Sequence, residues 1–197
     1  MADTVNDDPP RTMQVLDIYS LHVRHPGMAR EITDNSAVNA AVCMERHSGS
    51  PRVWSVQIDQ EPLGEYLVTW DLPTPAQLRS CANQDDATRD GAYGLALAAV
   101  DAHAGLVALR RAEGRSGVDF YLVPDGAEIP DSHDYDIDRD DLISLEVSGI
   151  NDDTDRVVRA RIREKIEHVR AGMRSCPSIV GVVGFRRARV IFLTVEA

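Results

Sequence analysis

The apolar positions along the chain change period several times, and each change predicts an element. Residues 33–46 fit a short helix. Residues 53–58 and 65–70 alternate or run apolar at strand length, with Pro62 and Gly64 between them, and predict a β-hairpin. Both arms are rich in Val, Tyr and Trp, which suit a pleated surface, so the hairpin extends a main sheet or covers one of its faces, and Trp54 and Trp70 are expected in the core in preference to a base-stacking platform. After a loop marked by Pro73 and Pro75, residues 86–113 give the strongest helical signal. Ala92, Leu95, Ala96, Ala99, Val100, Leu106 and Leu109 surround its axis, so it belongs in the middle of the structure, with Gly114 placed to cap it.

Residues 117–123 follow at strand length and end in the turn residues Pro124, Asp125 and Gly126. Residues 142–150 are a second strand with clear alternation. Residues 154–173 form an amphipathic helix with Val158, Ile162, Ile166, Val169 and Met173 on one stripe. Residues 179–183 and 189–195 close the chain as strands, with Arg186 and Arg187 at the bend between them. Residues 1–12 contain a Pro pair and no apolar period, and predict a disordered tail. The expected fold is α+β: a single domain over residues 13–197 with a central mixed β-sheet flanked by helices. Residues 13–85 supply an N-terminal helix and β-hairpin layer, and residues 86–197 the core.

Composition narrows the class of protein. The chain is 43% apolar and 27% charged, the proportions of a globular domain, and no run of 18 apolar residues predicts a membrane span. Cys43, Cys81 and Cys176 lie far apart with no CxxC pair, which predicts buried thiols in a reducing, cytoplasmic setting. The net charge of -11 argues against a nucleic-acid partner, but it is unevenly spread. Ten basic and six acidic side chains put residues 151–197 at +4, so the first 150 residues carry -15. That asymmetry permits a basic surface near the C-terminal end, with Arg159, Arg163, Arg186 and Arg187 as candidate phosphate contacts, or merely a solvated arginine-rich helix.

Candidate chemistry sits on the two strands of the second half. Period two puts Ser144, Glu146 and Ser148 on one face and Ile143, Leu145 and Val147 on the other, so Glu146 interrupts no core. With Asp119 on a neighbouring strand and the same face, two carboxylates could share a hard cation through oxygen. The alternative is a pair of solvent-facing acids on one-sided strands. The order of helix, acid-bearing strand, acid-bearing strand, helix and strand, with G-V-D at 117–119 and L-E-V-S-G at 145–149, resembles the PD-(D/E)xK, or restriction-endonuclease-like, nuclease superfamily over residues 86–197. The resemblance implies Mg2+ (or Mn2+) held by Asp119 and Glu146, with a further acid from the preceding helix. Glu113 is named first, ahead of Asp86, Asp90 and Asp101. It also implies a phosphodiesterase acting on DNA, or on RNA as a weaker option. Such a protein would work as a homodimer or with a protein partner in a defence or repair system.

One position departs from that pattern: Ser148 stands where E-x-K has its lysine. A hydroxyl cannot supply the cation that orients an attacking water and offsets developing charge. The chain has a single lysine, Lys165, in the following helix. Taking Val158 as zero, Ile162 falls at about 40°, Ile166 at about 80°, Val169 at about 20° and Lys165 at about -20°. If the helix folds back over the strand, Lys165 comes level with Glu146. It then acts as a migrated cation, or snorkels over apolar surface to reach water. Two functions follow from the same residues: a divergent metal-dependent nuclease using Asp119, Glu146, Lys165 and Ser148, or a catalytically inactive nuclease-fold binding or assembly subunit. Asp134, Asp136, Asp138 and Asp140 alternate like a calcium loop, but Arg139 and Leu145 occupy its required glycine and glutamate positions. Paired zinc histidines, a nucleophile elbow and phosphate-binding glycine loops are absent from the sequence.

Overall fold

The computed structural model describes residues 13–59, 61, 63–114, 116–129, 139–172 and 176–196. The expected tail at 1–12, Asp134, Asp136, Asp138 and Met173 lie outside them. In chain order the elements are β1 (Gln14–Val15), α1 (Leu21–Arg24), α2 (Arg30–Glu45), β2 (Arg52–Ile58), β3 (Gly64–Val68), α3 (Pro75–Ser80), α4 (Gln84–Ala104), β4 (Leu106–Arg111), β5 (Phe120–Pro124), β6 (Ile143–Ile150), α5 (Asp155–Ala171), β7 (Ser178–Gly184) and β8 (Arg189–Val195). The eight strands make one mixed sheet in the order β1-β3-β2-β8-β7-β6-β5-β4. The protein is therefore α+β, as the periodicities predict. The hairpin of β2 and β3 extends the main sheet, through parallel pairing of β2 with β8.

The predicted helix over 86–113 is two elements. α4 stops at Ala104, Gly105 takes the left-handed conformation at φ 62°, and β4 follows at once. Leu106, Val107 and Leu109 continue the apolar run, so hydrophobicity shows no break. The signal at this boundary is Gly105, a residue that adopts positive φ without steric cost and so reverses the chain. β4, β5 and β6 then form an antiparallel meander, and β7 lies parallel to β6. Parallel neighbours need a crossover, and α5 provides it.

α2 and α4 cover one face of the sheet, where Trp54, Phe120, Leu122, Leu145, Val147 and Phe192 join the main core. α5 lies on the other face, with Val158 over Ile150 and Val182, and Val169 over Val180 and Val195. Trp54 and Trp70 are buried, as are all three cysteines, which are unbridged. Among the described residues no helix is long and apolar enough to cross a membrane.

α4 approaches β6 closely because Gly149 has no side chain. A Cβ there would lie 2.3 Å from the Thr88 carbonyl oxygen, a backbone atom that cannot turn aside. Gly149→Ala should therefore destabilise the protein by about 1–3 kcal/mol, the usual range for overpacking, read as a lower midpoint in urea unfolding. An unchanged midpoint would show that α4 can move off the sheet freely.

Candidate active site

Pairing within β6 decides what surrounds Glu146. Leu145 and Val147 face α4 in the main core, so Ser144, Glu146 and Ser148 face α5. This face is not one-sided: Glu146 is only 4% exposed, because the crossover helix returns over it. The alternative of a solvent-facing acid on a one-sided strand is set aside for Glu146. The polar row survives burial because each member has a partner. Ser144 Oγ meets Ser178 Oγ at 2.6 Å, Lys165 Nζ donates to Glu146 Oε1 at 2.6 Å, and Arg161 Nη1 donates to Ser148 Oγ at 2.6 Å.

Asp119 stands just before β5, where its amide donates to the Leu145 carbonyl and extends the pairing with β6 by one residue. Both of its carboxylate oxygens accept hydrogen bonds: Oδ1 from the Tyr93 hydroxyl of α4 at 2.7 Å and Oδ2 from the Val147 amide at 2.8 Å. Its charge reaches Glu146. Burial, and then the Asp119 carboxylate, push the Glu146 carboxyl up to about 7, against the opposing pull of Lys165. His168 Nδ1 lies 3.6 Å from the same Glu146 oxygen that Lys165 holds. Burial and Asp119 also drive the Tyr93 hydroxyl above its ordinary value, which keeps it a proton donor to the carboxylate.

The cluster opens to solvent on two sides. A cleft of about 600 Å³ lies between the start of α4, the end of β6 and α5, and includes Arg89, Tyr93, Asp119, Ser148, Arg161 and Lys165. A second of about 440 Å³ lies under the turn after β4, lined by Glu113, Asp119, Glu146 and His168 among others. Asp119 borders both.

Of the residues read from sequence, Asp119, Glu146, Ser148 and Lys165 come together. Glu113 lines the smaller cleft, but its carboxylate is exposed and paired with Arg110 at 2.5 Å, in a turn instead of at a helix end. Arg186 and Arg187 lie at the bend after β7 and are already ion-paired, with Asp152 at 2.7 Å and Asp155 at 2.6 Å. Arg159 and Arg163 are exposed on α5 and do not line either cleft. Residues not found from sequence are Tyr93, Arg161 and His168. Arg161 lies four residues before Lys165, at about -60° on the same wheel, so the geometry that singled out Lys165 also marks it. His168, three residues after Lys165, follows likewise, whereas nothing in the small-residue run around Tyr93 marks its hydroxyl.

The fold and the cluster define an α+β protein in which two carboxylates of the sheet meet a lysine brought over them by α5. Comparison of the chain with protein-family models, curated proteins and solved structures finds no match. Asp119 and Glu146 are the residues that could share a cation. Among the described residues no group of three or more His, Cys, Asp or Glu side chains is placed to hold a metal ion.

The raised Glu146 carboxyl has a stability consequence. Its ordinary value is 4.5 and its folded value about 7, so between them the native state holds a proton that the unfolded chain has lost. The stability this group contributes is full below the lower value and lost as pH rises through the upper one. Glu146→Gln does not titrate. Measured in EDTA, its stability relative to the native protein should rise by on the order of 2 kcal/mol between pH 5 and 8. A difference that stays flat across that range would show that Glu146 is ionised throughout.

Proposed function

We propose that the protein is a divalent-metal-dependent phosphodiesterase acting on DNA, a divergent relative of the PD-(D/E)xK nucleases. The observation that carries this reading is the convergence of Asp119, just ahead of β5, and Glu146, within β6, with Lys165 Nζ 2.6 Å from Glu146, the lysine arriving from the next helix. The order of α4, β5 with Asp119 just ahead of it, β6 with Glu146, α5 and β7 supports it too, with β4 as an added strand in the meander.

The donor set fits a hard divalent ion. Magnesium is held by one or two carboxylates plus waters and substrate phosphate instead of a full protein cage, and Asp119 and Glu146 are two like charges whose proximity favours a cation. When bound, such an ion supplies the positive charge that polarises a phosphodiester and acidifies a water. The chain's own residues do the rest. Tyr93 and the Val147 amide fix Asp119. Lys165 favours the ionised form of Glu146 and presents an ammonium beside the site, the role Ser148 cannot fill.

A second reading, a nuclease-fold binding or assembly subunit without catalysis, draws on one observation. Arg186 and Arg187, candidates for phosphate contact, are neutralised by Asp152 and Asp155 in a chain of net charge -11. Cleavage assays on single- and double-stranded DNA with Mg2+ or Mn2+ separate the two. On the first reading Asp119→Ala, Glu146→Ala and Lys165→Ala each lower the cleavage rate by about a hundredfold or more. Equal cleavage by native protein and Glu146→Ala would assign the activity elsewhere, and no cleavage by the native protein would favour the binding subunit.

A further inference from the structure

Two cations of α5 reach the polar row of β6, one at Glu146 and one at Ser148. β6 runs from Glu146 to Ser148 while α5 returns in the opposite sense from Arg161 to Lys165. Two residues of strand span about 6.6 Å and four residues of helix about 6 Å, so the two elements keep step. Lys165 therefore meets Glu146, and Arg161 meets Ser148, each at 2.6 Å.

The two cations are not equivalent. Lys165 is held against a buried carboxylate, with 19% of its side chain exposed, and its charge is matched there. Arg161 touches only a neutral hydroxyl on the sheet side, and its Nε lies 3.2 Å from Glu164, whose side chain is 67% exposed. Its Nη2 makes no hydrogen bond among the described residues, and the guanidinium lines the 600 Å³ cleft with Asp119 and Lys165. A planar guanidinium anchored at Nη1, paired at Nε with an exposed carboxylate and left with Nη2 to donate, on a residue that lines a cleft, suits the two non-bridging oxygens of a phosphodiester.

We propose that Arg161, anchored by Ser148, is the phosphate-binding residue of this cleft and takes the phosphodiester of a DNA strand. The assignment rests on the reading of the site as a phosphodiesterase. Ser148 is then the seat of that arginine. Arg161 becomes a cation inside the cleft, while Arg186 and Arg187 remain tied up at the bend.

The test is a fluorescence-anisotropy titration of a labelled DNA single strand of about 12 nucleotides, in EDTA so that binding is read apart from cleavage, over a series of salt concentrations. Arg161→Gln should weaken binding by about tenfold and reduce the slope of log affinity against log salt by about 0.7, the loss of one phosphate contact on a single strand. Arg156→Gln, at the exposed start of the same helix, should bind as the native protein does. Arg161→Gln matching the native protein in affinity and slope, or a native protein that binds no strand, overturns the assignment. Should Arg161→Gln fail to fold, Arg161→Lys decides, since it keeps the charge and loses the planar fork. Weaker binding at an unchanged slope then supports the assignment, and native behaviour in both overturns it. Cleavage by the native protein alongside normal binding by Arg161→Gln defeats this proposal alone. Binding through Arg161 without cleavage defeats the hydrolytic reading alone.

Discussion

A carboxylate buried beneath a helix needs a cation or a proton, and that requirement at Glu146 organises this half of the molecule. Glu146 faces α5 because its neighbours Leu145 and Val147 must face α4, an alternation the strand cannot escape. An unpaired charge there would be strongly destabilising. α5 answers with the chain's single lysine, at a height set by the length of the helix and the turn before it. The same geometry sets Arg161 over Ser148 and His168 beside Glu146.

The partner acid depends on the opposite face of the sheet. Asp119 is fixed by a backbone amide of β6 and by the hydroxyl of Tyr93, which belongs to α4. α4 can bring that hydroxyl so near only because Gly149 leaves room for the Thr88 carbonyl against β6. The site therefore draws on both helical layers: one acid is held through α4, and the other is compensated through α5.

The strands and the two long helices of the second half are legible in the sequence because their apolar periods are sustained and bounded by turn residues. The 86–113 segment misleads because the second half of α4 and the first four residues of β4 are mostly apolar and follow one another directly. Periodicity carries little information where most positions are hydrophobic, and the break rests on the single residue Gly105. Asp119, Glu146 and Lys165 are legible as a group because period two and the helical wheel together fix which faces meet. The burial of Glu146 is not. It depends on the path of the crossover, a tertiary fact that the local alternation of β6 does not contain. Tyr93 is illegible for the same reason, since its role arises only when α4 and the start of β5 are brought together from 26 residues apart.

The bend after β7 does more than neutralise arginines. Asp153, fully buried just ahead of α5, accepts from the Arg187 amide at 2.9 Å and from Arg189 Nε at 2.7 Å. The root of α5 is thereby bolted to the β7–β8 turn, which sets the pivot for any tilt of the helix. Displacement along a lever grows with distance from its pivot. Arg161 stands about 9 Å out, Lys165 about 15 Å and His168 about 20 Å. Any tilt of this arm moves the Lys165 contact with Glu146 more than the Arg161 contact with Ser148, so the charged pair is the more sensitive gauge of how firmly the helix is seated.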